Sequence, residues 1–222
     1  MNKASSLLLL VLLATLAGAL GYVVLSLPER ANGLAEAVAG QMDNSGVAHP
    51  VTAVLLNFRA YDTLLEMAVL LLALIGVWSF TPEVCTRHEP ATPGGPVVSA
   101  LFRLLIPVMI LVAGYLLWVG AHAPGGAFQA GSVLAAAGVL VLLCGKRLTG
   151  RLADWPLRLG LVLGTAMFVA VGTAVMLGGA HLLQYPIPWA GGLILLIEAA
   201  ATLAIGVTLT ALFLGARPES QP

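Results

Sequence analysis

Along the chain, long apolar runs alternate with short connectors rich in polar residues, glycine and proline. Six runs stand out, at 5–25, 63–80, 100–120, 128–145, 157–178 and 190–214. Each is close to the roughly 20 residues that a helix needs to cross a bilayer core of about 30 Å. The runs are too long and too evenly apolar for barrel strands, and backbone groups in hydrocarbon must be satisfied within their own segment. The pattern predicts an all-α integral membrane six-helix bundle. The first run also has features of a cleavable leader, with Lys3 ahead of it and small residues at Leu16-Ala17-Gly18-Ala19. Its continuation to Leu27 favours a span.

The connectors set the organisation. Residues 28–50, "PERANGLAEAVAGQMDNSGVAHP", form the one sizeable outer loop, broken by Pro, Gly and Asn; a packed or partner-facing cover is expected there. Residues 81–99, "TPEVCTRHEPATPGGPVVS", form an inner linker with four prolines and two glycines. The linker divides the chain into a two-span part at 1–80 and a four-span part at 100–222, with no internal repeat of fixed period.

Composition sharpens this reading. Apolar residues make up 59% of the 222 and charged residues 9%, against about 45–50% and about 25% in soluble domains. The formal net charge of zero gives no footprint for nucleic acid. With the N-terminus inside, Lys3, Arg87, Arg103, Lys146, Arg147, Arg151, Arg158 and Arg217 fall on the cytoplasmic side, leaving Arg30 and Arg59 outside. Both termini are therefore expected in the cytoplasm and the chain in the inner (plasma) membrane. Cys85 and Cys144 map near the inner face, where they read as inert, reduced thiols.

Charged groups near the membrane are the candidates for chemistry. In "NFRAYDTLLE", residues 57–66, Arg59, Asp62 and Glu66 would share one stripe of a continuous helix. A local alternative is a capping box, with Thr63 capping the helix and Glu66 reaching back to it. Glu198 lies about eight residues inside the last run, with no Lys or Arg within two turns. A lone charged carboxylate at that depth costs a few kcal/mol, so Glu198 is protonated, paired with another chain or facing a wet cavity. It either handles protons or ions, or makes a structural hydrogen bond, Thr202 being one turn on. His122, His181 and His49 add titratable groups at the outer side, either as part of a proton or cation funnel or as interfacial hydrogen-bonding residues. His88 lies in the inner linker.

The stretch "HAPGGAFQAG", residues 122–131, reads as a tight hairpin: Pro124, Gly125 and Gly126 supply the turn, and Gln129 and Gly131 begin the next span. Small residues then recur at 127, 130, 131, 135 and 138, and Gly160 and Gly164 have GxxxG spacing, as in closely packed membrane helices.

Together with "RLLIPVMILVAGYLLWVG" and the ending "LILLIEAAATLAIGVTL", this hairpin resembles the MnhB/MrpB family, the B subunit of multisubunit cation/proton antiporters. The family's hairpin usually reads PGGGFQGG; here Ala127 and Ala130 stand for two of its glycines, and the family's glutamate is kept at Glu198. The resemblance covers roughly residues 100–214. Residues 49–66, "HPVTAVLLNFRAYDTLLE", are similar to a stretch of the MbhE-like subunit of membrane-bound hydrogenases and of the C-terminal part of the antiporter A subunit. Asn57, Ala60 and Leu65 depart from its common form, while Arg59, Tyr61, Asp62, Thr63 and Glu66 are kept.

These resemblances imply a natural fusion of two neighbouring subunits. Pumping subunits of such complexes depend on buried lysines, and this chain has only Lys3 and Lys146. The expectation is an accessory membrane subunit of an Mrp-type Na+ (monovalent cation)/H+ antiporter, partnered by other membrane subunits, with Glu66 and Glu198 lining or gating an ion path. The alternatives are a purely structural scaffold, or a subunit of a hydrogenase-like or other redox- or ion-driven complex. There is no nucleophile with a base, no metal-ligand cluster and no phosphate loop, so neither enzymatic chemistry nor a cofactor or metal is expected.

Overall fold

The computed structural model describes residues 3–27, 34–80, 96–144 and 155–215. Arg30, Arg87, Lys146, Arg147, Arg151 and Arg217, together with Cys85, His88 and the linker over 81–95, lie outside the described residues. The helices are α1 (Lys3–Ser26), α2 (Ala35–Gln41), α3 (Pro50–Ala53), α4 (Ala60–Phe80), α5 (Pro96–Val119), α6 (Ala127–Leu143), α7 (Trp155–Leu177) and α8 (Ile187–Leu214). A 3-10 turn follows α2 at Met42–Asn44, and a π-helical turn links α3 to α4 at Val54–Phe58. No strand occurs among the described residues. Five described helices are long and apolar enough to cross a membrane, and α6 is a shorter apolar helix of 17 residues. All six apolar runs are therefore helices, and the chain is an all-α membrane protein.

Residues 1–38 and 39–222 form two compact units. In the first, α1 carries leucine and valine around its circumference, and its described side chains are exposed. Such a helix has no polar face to give to water.

In the second unit α8 is the central helix, packed most extensively on α6 and α7 and also on α4. Proline starts it and Gly215, at φ 62°, ends it in the left-handed conformation that closes many helices. Small residues set its contacts. A Cβ on Gly131 of α6 would lie 2.7 Å from the Ile205 side chain, and one on Gly138 would lie 2.5 Å from the Thr210 hydroxyl. From the α8 side, a Cβ on Gly206 would come within 3.1 Å of Leu134. The GxxxG pair of α7 does the same work: Gly160 faces Val207, while Gly164 is closed in by Ala201, Ala204 and Met67 of α4. Phe168, Ile194, Ile197 and Ile205 fill the centre of this core.

The end of the bundle where α5 turns into α6 is recessed. Ile187 opens α8 eleven residues ahead of Glu198, about 16 Å of helix at 1.5 Å per residue, whereas α6 begins beside Glu198. The segment over 42–49 covers part of the step. Ser45 is buried, its hydroxyl 2.7 Å from the Met42 carbonyl and 2.8 Å from the Val47 carbonyl with one proton to give, and the Asn57 amide donates to the Ser45 carbonyl at 2.8 Å. Gly46, at φ 74°, lies so close to α8 that a Cβ there would be 2.5 Å from that of Ala190. This part of the 28–50 loop is a packed cover.

Candidate functional site

The hairpin is built by close backbone approach. The Gly126 N–H donates to the Leu116 carbonyl at 2.9 Å, folding the turn back onto the last turns of α5. A Cβ on Gly125 would lie 2.5 Å from that same carbonyl oxygen, and one on Gly120 would be 2.7 Å from the Gly126 backbone. Residues 48–52 clamp the turn from above. The N–H groups of Ala48 and His49 both donate to the Ala121 carbonyl at 3.0 Å, and the buried Thr52 hydroxyl donates to the Gly120 carbonyl at 2.5 Å. The stretch carrying the second resemblance thus docks directly on the hairpin of the first.

Gly126 precedes α6 with φ 105° and ψ −172°, a region essentially confined to glycine. The reason for a residue without a side chain here is Glu198. A Cβ on Gly126 would lie 2.9 Å from Glu198 Oε1, and the Ala127 N–H donates a hydrogen bond to that carboxyl group. The first N–H groups of a helix have no partner within the helix and favour an acceptor at this end. Glu198 is 2% exposed, and its Oε2 is buried without a hydrogen-bond partner. The hairpin and the intramembrane glutamate are therefore one site, formed by residues 72 positions apart in sequence. One carboxylate oxygen is held by the α6 terminus and the other is free to gain a proton.

Thr202 does not serve the carboxyl group. Its hydroxyl donates to the Glu198 backbone carbonyl at 2.8 Å, the bond of a threonine to the preceding turn. Gln129 is exposed, with Oε1 3.8 Å from the position of a Gly126 Cβ. Gly131 is buried one turn into α6, against Ile205 and the Thr202 carbonyl. Pro124 is exposed at the tip of the turn.

The other candidates lie elsewhere. Arg59 and Asp62 form an ion pair, with side chains 62% and 52% exposed. Glu66 is exposed on α4, one turn beyond Asp62. The expected continuous stripe is interrupted: Arg59 sits in the break between the π turn and α4, at φ −129° and ψ 33°, so only Asp62 and Glu66 share a helix. The capping box does not form either. Helix α4 begins at Ala60, and the Thr63 hydroxyl donates to the Leu55 carbonyl at 2.6 Å, serving an acceptor in the π turn. His181 is exposed in the α7–α8 loop. His122 is exposed in the hairpin and lines an open cleft together with Asp43. His49 stands 3.4 Å from the Thr52 hydroxyl through Nδ1. Among the described residues no three His, Cys, Asp or Glu side chains converge as metal ligands.

Residue spacing missed the Ala127 N–H and Thr52 as parts of the site, because each acts across a tertiary contact. The glycine hairpin and Glu198 each stand out in the sequence, but nothing in it places one against the other.

Comparison with known proteins adds family and fold. Residues 97–215 match the model of a domain related to the MnhB subunit of Na+/H+ antiporter. No curated protein sequence matches the chain. Among solved structures, the whole chain superposes on part of a chain in the Mrp complex from Dietzia sp. DQ12-45-1b, with TM-score 0.71 and 20% identity. It spans 27% of that longer chain. A chain of the membrane-bound sulfane sulfur reductase (MBS), an archaeal respiratory membrane complex, superposes with TM-score 0.69 and 22% identity. That alignment takes in 96% of this chain and 98% of the other.

Proposed function

Because the chain belongs to the family of domains related to the MnhB subunit of Na+/H+ antiporter, we propose that it is an accessory membrane subunit of a multisubunit cation/proton antiporter, with Glu198 as its proton-exchanging group. It is a multi-pass protein of the plasma membrane, working among other membrane subunits, and both termini face the cytoplasm. The carrying observation is the Glu198 carboxyl group, buried in the membrane bundle, bound on one side by the Ala127 N–H and unpartnered at Oε2. Its geometry supports two states, with and without a proton, at one fixed place. We read the parts at 1–80 and 100–222 as two neighbouring subunits fused through the 81–99 linker; the family match, which begins at residue 97 where α5 opens, supports the rear part as one domain.

Glu198→Gln keeps the shape of the side chain and removes its acid. In vesicles holding the assembled complex, sodium-dependent proton exchange is expected to be lost while the subunit composition stays unchanged. Full exchange in that variant would leave Glu198 a packing residue.

A second reading, a scaffold with no titratable residue in the path, is favoured by the outward placement of Arg59, Asp62 and Glu66, which suits contacts with neighbouring subunits. A scaffold loses assembly and activity together when Glu66 or Glu198 is neutralised, whereas a conduit loses activity alone. The correspondence with nearly the full length of a chain in a respiratory complex supports a redox-driven complex as the alternative setting. Mass spectrometry of what co-purifies in mild detergent decides between the settings: iron–sulfur subunits mark the respiratory one.

A further inference from the structure

A cleft of about 500 Å3 opens at the recessed end of the bundle. Asp43 and Val47 of the covering segment, Trp118 of α5, His122 of the hairpin, and Gly192 and Leu195 of α8 contribute to its walls. Leu195 is one helical turn before Glu198 on α8, and His122 belongs to the hairpin whose Gly126 touches the carboxyl group. The cleft thus ends about one turn from a buried carboxylate that has an unpartnered oxygen.

From this geometry we propose that the cleft is the aqueous vestibule through which protons reach Glu198, with Leu195 as the apolar barrier between them. The inference rests on the reading of Glu198 as a proton-exchanging group. The covering segment brings a carboxylate to the walls in Asp43 and the hairpin an imidazole in His122; the wall residues from α5 and α8 bring no titratable group. A hydronium ion delivered past Leu195 gives its proton to Oε2 and leaves a water molecule behind.

The chemistry at the end of the route selects the ion. Hard metal cations such as calcium or magnesium gather about six or more oxygen ligands. One unpartnered carboxylate oxygen supplies a single ligand, yet suffices for a proton. The proposed route is one for protons.

Gly192 makes the route testable, because a side chain added there meets no atom within 4 Å. Gly192→Cys is introduced into the assembled complex in sealed vesicles and modified with a small, membrane-impermeant methanethiosulfonate. Two readouts follow: sodium-dependent proton exchange, and hydrogen–deuterium exchange of the Glu198 carboxyl group by infrared difference spectroscopy against Glu198→Gln. Modification is expected to stop both, reduction to restore both, and the parent complex to be unaffected by the reagent. A thiol at this position that the reagent does not reach, or exchange that continues after complete modification, overturns the vestibule. If Glu198→Gln stops exchange while the filled cleft does not, the route alone fails; full exchange in Glu198→Gln removes the role of Glu198 and the route with it.

Discussion

At the scale of single residues, Gly126 carries two separable constraints. Its backbone conformation is essentially confined to glycine, and the space where a Cβ would go is taken by Glu198. Strain in such a region costs on the order of 1–3 kcal/mol, so Gly126→Ala is expected to lower the thermal stability of the purified complex measurably. Adding Glu198→Ala relieves the contact with Oε1 and leaves the backbone strain, so the double variant recovers only part of the loss. Full recovery would show that the carboxylate contact alone demands glycine. Tyr185, in the loop before α8, gives a second prediction. Its hydroxyl is buried without a partner, and burial pushes its pKa above the ordinary tyrosine value. The folded state holds the phenolic proton while the unfolded chain releases it above about pH 10. The stability associated with this proton is present below about pH 10 and lost as pH rises above it. Tyr185→Phe should be neutral or stabilising near pH 7, where it removes an orphaned hydroxyl, and should flatten the alkaline fall seen in thermal melts.

At the scale of elements, α6 and α8 meet through close backbone approach, whereas Gly76 of α4 and Gly114 of α5 face open space. Gly131→Ala would press a methyl group to within 2.7 Å of Ile205, an overpacking of about 1–3 kcal/mol. Gly114→Ala on α5 meets no atom within 4 Å and should instead be neutral or stabilising by up to about 1 kcal/mol. Thermal melts of the two variants in one detergent would reverse this order if small residues in α6 were only a compositional habit. The same contrast shows what sequence pattern can reach. The six helices and the hairpin were legible because apolar run length and turn chemistry are local. The π turn was not, and with it the fates of Arg59 and Thr63, because a helix one residue overwound or underwound keeps the same apolar run. Glu198 was visible as an anomaly, but its partner was not: the Ala127 N–H is a backbone group, and nothing in a side-chain sequence marks where a backbone donor points.

At the scale of the whole molecule, exposure is the dominant fact. Helix α1 is exposed throughout its described side chains, and α5 shows Leu104, Leu111, Tyr115 and Trp118. Lipid can cover such surfaces, but the Arg59–Asp62 pair and Glu66 add polar groups to the outer side of α4. A partner that supplies hydrogen-bond donors suits that face better than hydrocarbon does. Glu66→Cys is accordingly expected to cross-link to a partner protein in the membrane, whereas Leu111→Cys is expected to face lipid. Exclusive reaction with a lipid-soluble reagent would put the α4 face in the bilayer instead.

The recessed hairpin also has an electrical consequence. Helix α8 runs for 28 residues and α6 for 17, about 42 Å against about 25 Å at 1.5 Å per residue. If water enters the step above α6, the membrane voltage falls across the shorter, dry length, and the local field there is steeper. Moving one charge through 100 mV is worth about 2.3 kcal/mol. A proton that travels part of this distance to Glu198 takes up a share of that energy. Occupancy of the carboxyl group would then respond to membrane potential as well as to pH, making this small protein a place where voltage and proton concentration act on the same atom.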